Sequence, residues 1–265
     1  MIGALFMKIT MIFTTSEFAI VIAARFVSVI CNTLTVIMVI KIAEKLFKGA
    51  YRWLFVCFIA FLPQFAFLGS YINNDSLALF SISVIIYGWI LGIENKWNLK
   101  ACITLAVGVG ICALSYYNAY GYILFSVIFF VFSLWMMNRD MKEIFKKGLL
   151  ISAIFLLIAG WWFIRNAVIY QGDFLGLKTE EEYSEKYAML EFKPSERKTP
   201  QNEGNSLFHM LFEDDWLKWT YCSFIGLFGY MNIITSGKIY ISYFITFVIA
   251  FIGCLYRDKK TAILS

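Results

Sequence analysis

Seven long apolar runs separated by short polar breaks leave this chain few ways to fold. They lie near Phe18 to Ile42, Arg52 to Gly69, Asp75 to Ile93, Ala101 to Ser115, Tyr120 to Met137, Gly148 to Ile164 and Ile239 to Tyr256. A helix needs about 20 apolar residues to cross the hydrocarbon core of a bilayer. Backbone polar groups at that depth must be satisfied internally, which only helices and closed barrels achieve. Val, Ile and Phe are abundant in the runs, yet the runs are continuous and do not alternate apolar with polar, so helices are expected rather than strands. With 60% of its 265 residues hydrophobic and 15% charged, the chain lies outside the range of soluble domains. The expected fold is an all-α polytopic membrane protein of about seven transmembrane helices, with the lipid bilayer as its first partner.

Lysine and arginine in short loops set the orientation of such a bundle, because they are retained on the cytoplasmic side. Lys41, Lys45, Lys48 and Arg52 separate the first two runs, Lys96 and Lys100 the third and fourth, and Arg139, Lys142, Lys146 and Lys147 the fifth and sixth; Arg257, Lys259 and Lys260 follow the seventh. These basic short loops are expected in the cytoplasm of a cell whose plasma membrane the protein crosses several times. Ser70 to Asn74 and Tyr116 to Ala119 hold no basic residue and fall on the outer side, as does the long polar segment after Arg165. The net charge of +5 is therefore a topology signal, and nucleic acid is not expected as a partner.

Three parts follow. Residues 1–166 form a bundle of six spans preceded by an N-terminal segment, MIGALFMKITMIFT, open to three readings: an interfacial helix, a partial span, or the tail of an outer loop. Residues 167–237 form an external loop containing an interfacial helix, and 238–265 a last span with a cytoplasmic tail. The loop is charged and has no sustained apolar period between Gln171 and Glu213. Beyond it, LFHMLFEDDWLKWTYCSFIGLFGYMN mixes aromatics with acids, as segments at a membrane interface do.

The six cysteines show no ligand spacing and His209 is the only histidine, which excludes multi-histidine metal sites and disfavours a Ser-His-Asp triad. Three polar groups carry the candidate chemistry. Asn73, Asn74 and Asp75 stand at a turn between two runs, the first containing Pro63. Asp75 has two readings there, a cap on the next helix or a carboxylate facing an external cavity, where it meets a cation or a sugar hydroxyl. Asn74-Asp75-Ser76 also fits the glycosylation sequon but lies too close to the bilayer. Arg165 ends a span against the positive-inside trend, with Asn166 beside it and Tyr170 and Asp173 just beyond. Its guanidinium either pairs with a phosphate or reaches a lipid headgroup. Glu213, Asp214 and Asp215, next to Trp216, are either a solvated acidic face or a site for a divalent cation with an aromatic for stacking a sugar. Arg25, about two turns into the first run, is expected to face the bundle interior.

The order of these signals is more specific than any one of them. RFVSVICNTLTVIMVIKIAEKLF from Arg25, then LPQFAFLGSYINNDSLALF, GWWFIRNAVIYQGDFLG and SFIGLFGYMN before the last run resemble a family of bacterial membrane proteins related to the GT-C glycosyltransferases. That superfamily includes the protein O-mannosyltransferases and the lipid A aminoarabinose transferases. The resemblance implies transfer of a sugar from a polyprenyl-phosphate carrier to a glycan, lipid or protein acceptor of the cell envelope. Asp75 would match the acidic residue after the superfamily's third helix, and Arg165 the expected phosphate contact. Two departures stand out: the superfamily's principal catalytic carboxylate, in a first external loop after a first helix, has no counterpart here, and the turn SYYNAY lacks the lysine that relatives often carry. On this account the chain reads as an N-terminally incomplete member, and whether it is active or inactive by itself is left open. The alternatives are a transporter and a non-catalytic partner in envelope polysaccharide assembly.

Overall fold

The structure, a computed structural model, describes residues 2–196, 199 and 204–264, with side chains to residue 253. The side chains of Arg257, Lys259 and Lys260, and most of the 197–203 stretch of the long loop, lie outside the described residues. The fold is that of an α-helical membrane protein. Among the described residues, four helices are long and apolar enough to cross a bilayer: Glu17–Leu46, Asp75–Glu94, Tyr117–Asn138 and Met141–Ile169. Four more apolar helices are shorter, Ile2–Phe13, Ala50–Ala60, Leu99–Ser115 and Gly237–Gly253. The chain divides into two compact units, Met1–Phe61 with Leu68–Arg197, and Leu62–Phe67 with Lys198–Ser265.

In the first unit, α1 (Ile2–Phe13) folds back along α2 (Glu17–Leu46). Gly3 stands against Ala24, and Phe6 shares an apolar cleft with Phe18, Ile22 and Phe26. The N-terminal segment is thus a helix packed on the first half of α2. The buried stripe of α2 is Ala24, Ser28, Cys31, Thr35, Val39 and Ala43, spaced by threes and fours as one helix face requires. Its small side chains let neighbouring helices approach closely, which is how helices associate where lipid removes the hydrophobic drive. Arg25 does not face the interior as expected. It follows Ala24 by one residue, about 100° round the helix, and lies exposed, where a long stem can carry its charge toward headgroups.

The second expected span is broken. α3 (Ala50–Ala60) stops before Pro63, and α4 (Pro63–Leu68) restarts on it, because proline lacks the N–H that a helix interior needs and disfavours helical geometry at Leu62. α3 packs Val56 against Val39 and Ala43 of α2.

The centre of the unit is the hairpin of α5 (Asp75–Glu94) and α6 (Leu99–Ser115), followed by a short 3-10 turn (Tyr117–Ala119) and α7 (Tyr120–Asn138). Gly88 and Gly92, four residues apart, make the hairpin possible. A Cβ on Gly88 would stand 3.1 Å from the backbone of Leu105, and one on Gly92 would stand 2.6 Å from the Trp97 ring. Trp97 is fully enclosed, and its indole N–H donates to Ser133 of α7 at 2.9 Å. Ile85, Leu105 and Leu134 complete this core. α8 (Met141–Phe155), a π turn (Leu156–Gly160) and α9 (Trp161–Ile169) form one continuous apolar stretch that returns beside α6, with Ile158 against Gly110. α10 (Leu177–Tyr187) then gives the charged loop a helix without a buried residue, held by local charge and capping.

The basic loops gather at one end of this unit. Lys45 pairs with Glu94 at 2.7 Å, and Lys147 donates to the Lys96 carbonyl at 2.9 Å. Helix direction then sends the start of α5, the end of α6 and the end of α9 to the opposite end.

In the second unit, α4 meets the segment after the acidic cluster. A π turn (His209–Glu213) precedes α11 (Trp216–Gly226), which runs into β1 (Leu227–Phe228), paired antiparallel with β2 (Ile233–Ile234), and then α12 (Gly237–Leu264). This two-residue ladder is a minor addition to a helical fold. The Leu227 amide donates to the Gln64 side chain at 3.0 Å, the Phe67 and Phe228 rings meet at 5.1 Å in a tilted arrangement, and the Tyr240 hydroxyl donates to the Gly226 carbonyl at 2.7 Å. LPQFAF and GLFGY thus tie one knot.

Candidate functional site

Asp75 opens α5, but it is not the cap. Asn73 takes that role: its side-chain oxygen accepts from the Ser76 amide at 2.9 Å, while its amide donates to the carbonyls of Leu68 and Tyr71 at 2.6 and 2.9 Å. That is the bond a capping residue makes to a free amide of the first turn, and it also fastens the incoming chain. The backbone of Asn74 precedes the helix without a side-chain cap bond, and its side chain is exposed. The Asp75 carboxylate is left over. It is half-buried, and among the described residues it accepts no hydrogen bond and meets no cation. Its neighbours are two phenols. Burial raises the pKa of both Tyr71 and Tyr116; the Asp75 charge then raises that of Tyr71 further, while Tyr116 is raised next by its neighbour Tyr117 and only after that by the Asp75 charge.

Arg165 sits exposed near the end of α9, and two contacts pose its guanidinium. It lies 5.0 Å from the Trp162 ring centroid and donates to the Asn166 side-chain oxygen at 3.1 Å. Asn166 is buried and donates onward to the Phe174 carbonyl at 3.3 Å, which anchors the arginine to the loop that follows. The remaining guanidinium N–H groups have no protein acceptor among the described residues, so an arriving anion finds them open. Tyr170 ends the helix and is exposed.

Asp173 has a structural duty instead. One carboxylate oxygen accepts from the Gly176 amide at 2.9 Å, the other from the amide and hydroxyl of Thr179 at 2.8 and 2.9 Å. Those bonds, led by the Thr179 amide, lower its pKa. Because folding lowers it, the tether is complete above the ordinary carboxylate value of about 3.9 and is lost as pH falls through the lower native value. Amide exchange at Gly176 and Thr179 is therefore expected to stay protected at pH 5 and to accelerate only under stronger acid. Asp173→Asn should expose both amides at pH 7.

Asp75, Tyr116 and Arg165 share one end of the unit and one depth. Measured from the level where Gly108 meets Ile85, helix rise puts Asp75 about 15 Å along the bundle, Tyr116 about 12 Å and Arg165 about 14 Å. Asp75 and Arg165 form no ion pair; α6 packs against both α5 and the π turn below Arg165. The end of α6 carries Tyr116 and Tyr117, edge to face at 4.9 Å.

The acidic cluster belongs to the second unit, and its carboxylates do not converge. Glu213 and Asp214 flank His209, at 2.6 and 3.6 Å from its two ring nitrogens, while Asp215 pairs with Lys218 at 2.8 Å. Trp216 is exposed at the start of α11. Among the described residues no group of three His, Cys, Asp or Glu side chains is placed to hold a metal ion. Of the two readings left open by the sequence, this arrangement suits a solvated acidic face better than a cation site, and no chemistry here is routed through a metal.

Sequence reasoning missed Tyr71, Tyr116 and Trp162 as neighbours of the charged groups, and Asn73 as the cap. The Asn73-to-Ser76 spacing could have signalled the cap, and the four-residue separation of Tyr71 from Asp75 the first phenol; Tyr116 could not have been found, since it meets Asp75 only through the α5–α6 pairing. Compared with protein-family models, curated proteins and solved structures, the chain matches none, so the chemistry assigned to it rests on these residues.

Proposed function

We propose that this protein acts on a lipid-linked sugar phosphate in the manner of a GT-C glycosyltransferase, moving a sugar from a polyprenyl-phosphate carrier to an envelope acceptor. The observation that carries this reading is a half-buried carboxylate, Asp75, without a hydrogen-bond or cationic partner among the described residues, at the same end and depth as a posed guanidinium with open donors, Arg165. A sugar phosphate laid across the end of α6 places its phosphate on Arg165, its ring over Tyr116 and Tyr117, and its anomeric carbon toward Asp75. The acceptor O–H gives its proton to the Asp75 carboxylate as its oxygen bonds to the anomeric carbon. The bond from that carbon to the phosphate oxygen breaks, and its electron pair leaves with the phosphate, whose added charge Arg165 offsets.

This reading takes the basic end as cytoplasmic and the Asp75 end as external, and it takes Ala50–Ala60, Leu99–Ser115 and Gly237–Gly253 as spans beside the four long helices, which makes seven. Arg165→Ala removes the phosphate contact. A charge-assisted bond is worth about 1.5–3 kcal/mol, so donor affinity is expected to fall roughly 10- to 100-fold in a binding measurement with labelled polyprenyl-phosphate sugar. Unchanged donor affinity in that variant would refute the phosphate assignment.

A further inference from the structure

A second lipid-facing feature lies at the other, basic end of the first unit. A cavity of about 540 Å³ opens between α6, α7 and α8, with Leu105, Ile123, Phe130, Ile144 and Phe155 among its walls. Its volume is in the range of ligand sites. From Ile144 to Phe155 it runs eleven residues of α8, about 16 Å, close to half of a hydrocarbon core about 30 Å thick. That is the depth of one leaflet and so the reach of one acyl chain.

The mouth is charged. Val127 and Val131 line the α7 wall; Trp135 continues that stripe one turn further, and the Arg139 guanidinium stands 5.8 Å from its ring centroid. Lys142 is one turn ahead of Phe145 on the α8 wall, and Lys146 is the next residue after Phe145. The nearby carboxylates are already engaged: Glu143 pairs with Lys147 at 2.6 Å and accepts from Asn138, and Asp140 accepts from the Lys142 amide at 2.9 Å. Among the described residues Arg139, Lys142 and Lys146 have no carboxylate partner, so the mouth presents net positive charge beneath the headgroup level.

We infer that this cleft binds one acyl chain of an anionic phospholipid whose headgroup rests on Arg139, Lys142 and Lys146. Basic residues at a bilayer surface attract anionic lipids, and the cleft's length suits a single acyl chain rather than a polyprenyl chain. The site is independent of the sugar-transfer reading, since it occupies the end of the bundle opposite Asp75.

Native mass spectrometry of the full chain, equilibrated with equal amounts of phosphatidylglycerol and phosphatidylcholine, tests it. The wild type is expected to retain one phosphatidylglycerol in at least about tenfold preference. Replacing Arg139, Lys142 and Lys146 together by Gln should remove the preference. Gly148→Leu should block retention of both lipids, since Gly148 lines the cleft and an added Cβ meets only Phe130, at 3.7 Å. Equal retention of both lipids by the wild type, an unchanged preference in the triple variant, or displacement of phosphatidylglycerol by a polyprenyl phosphate would each overturn the inference. The triple variant alters only surface charge and decides the matter even if Gly148→Leu fails to fold.

Discussion

Asp75→Asn lowers sugar transfer about 10²- to 10⁴-fold, the range a positioned general base contributes, while labelled donor still binds within about twofold of wild type. The substitution keeps the side chain's shape and removes its ability to take a proton. The fold should tolerate it, because Asn73 rather than Asp75 caps α5. The only structural loss is a charge at the positive end of the helix dipole, worth at most about 1 kcal/mol. Transfer measured in proteoliposomes with labelled polyprenyl-phosphate sugar separates the outcomes. Equal transfer by variant and wild type removes Asp75 from the chemistry. Flux of the labelled lipid without transfer, unaltered by the substitution, makes the protein a carrier, and donor binding with neither transfer nor flux leaves a non-catalytic partner.

Trp97→Ala is expected to be the most destabilising single change in the first unit. The ring is fully enclosed, lies on Gly92, stacks edge to face with Phe130 at 4.9 Å and donates to Ser133. Truncating a buried aromatic costs about 3–5 kcal/mol in a water-soluble core. In a bilayer the transfer part shrinks, because lipid is as apolar as the core, and the loss of packing remains. A cost near the lower end, about 3 kcal/mol, should appear as a lower midpoint in denaturant titration of the purified protein. Trp97→Phe, which keeps much of the ring packing and loses the N–H, should cost clearly less. Equal cost for the two would show that the hydrogen bond to Ser133 dominates.

Much of the architecture follows from local chemistry that can be read along the chain. Continuous apolar runs become helices because lipid offers their amides no other partner, Pro63 ends α3 because it cannot donate, and Asn98 caps α6 through the Ala101 amide at 3.0 Å. The candidate residues Asp75 and Arg165 were legible as charges where charge is costly. What they do depends on which of several competing contacts forms. Whether Asp75 caps a helix or stands free was decided by which neighbour's oxygen reached the Ser76 amide, and Asn73 reached it. Arg25 turned outward because the buried face of α2 is set by the partners of Ala24 and Ser28, one residue's rotation away. Glu213 to Asp215 look alike in sequence, yet they are shared out between His209 and Lys218 by the local path of a π turn. The sequence by itself determined that the chain is helical, lipid-facing and polar at its helix ends, because hydrogen bonding and hydrophobicity act residue by residue. Only the tertiary structure decided that Asp75, Tyr116 and Arg165 lie at one depth, because that follows from how glycines at positions 88, 92, 108 and 110 let whole helices meet.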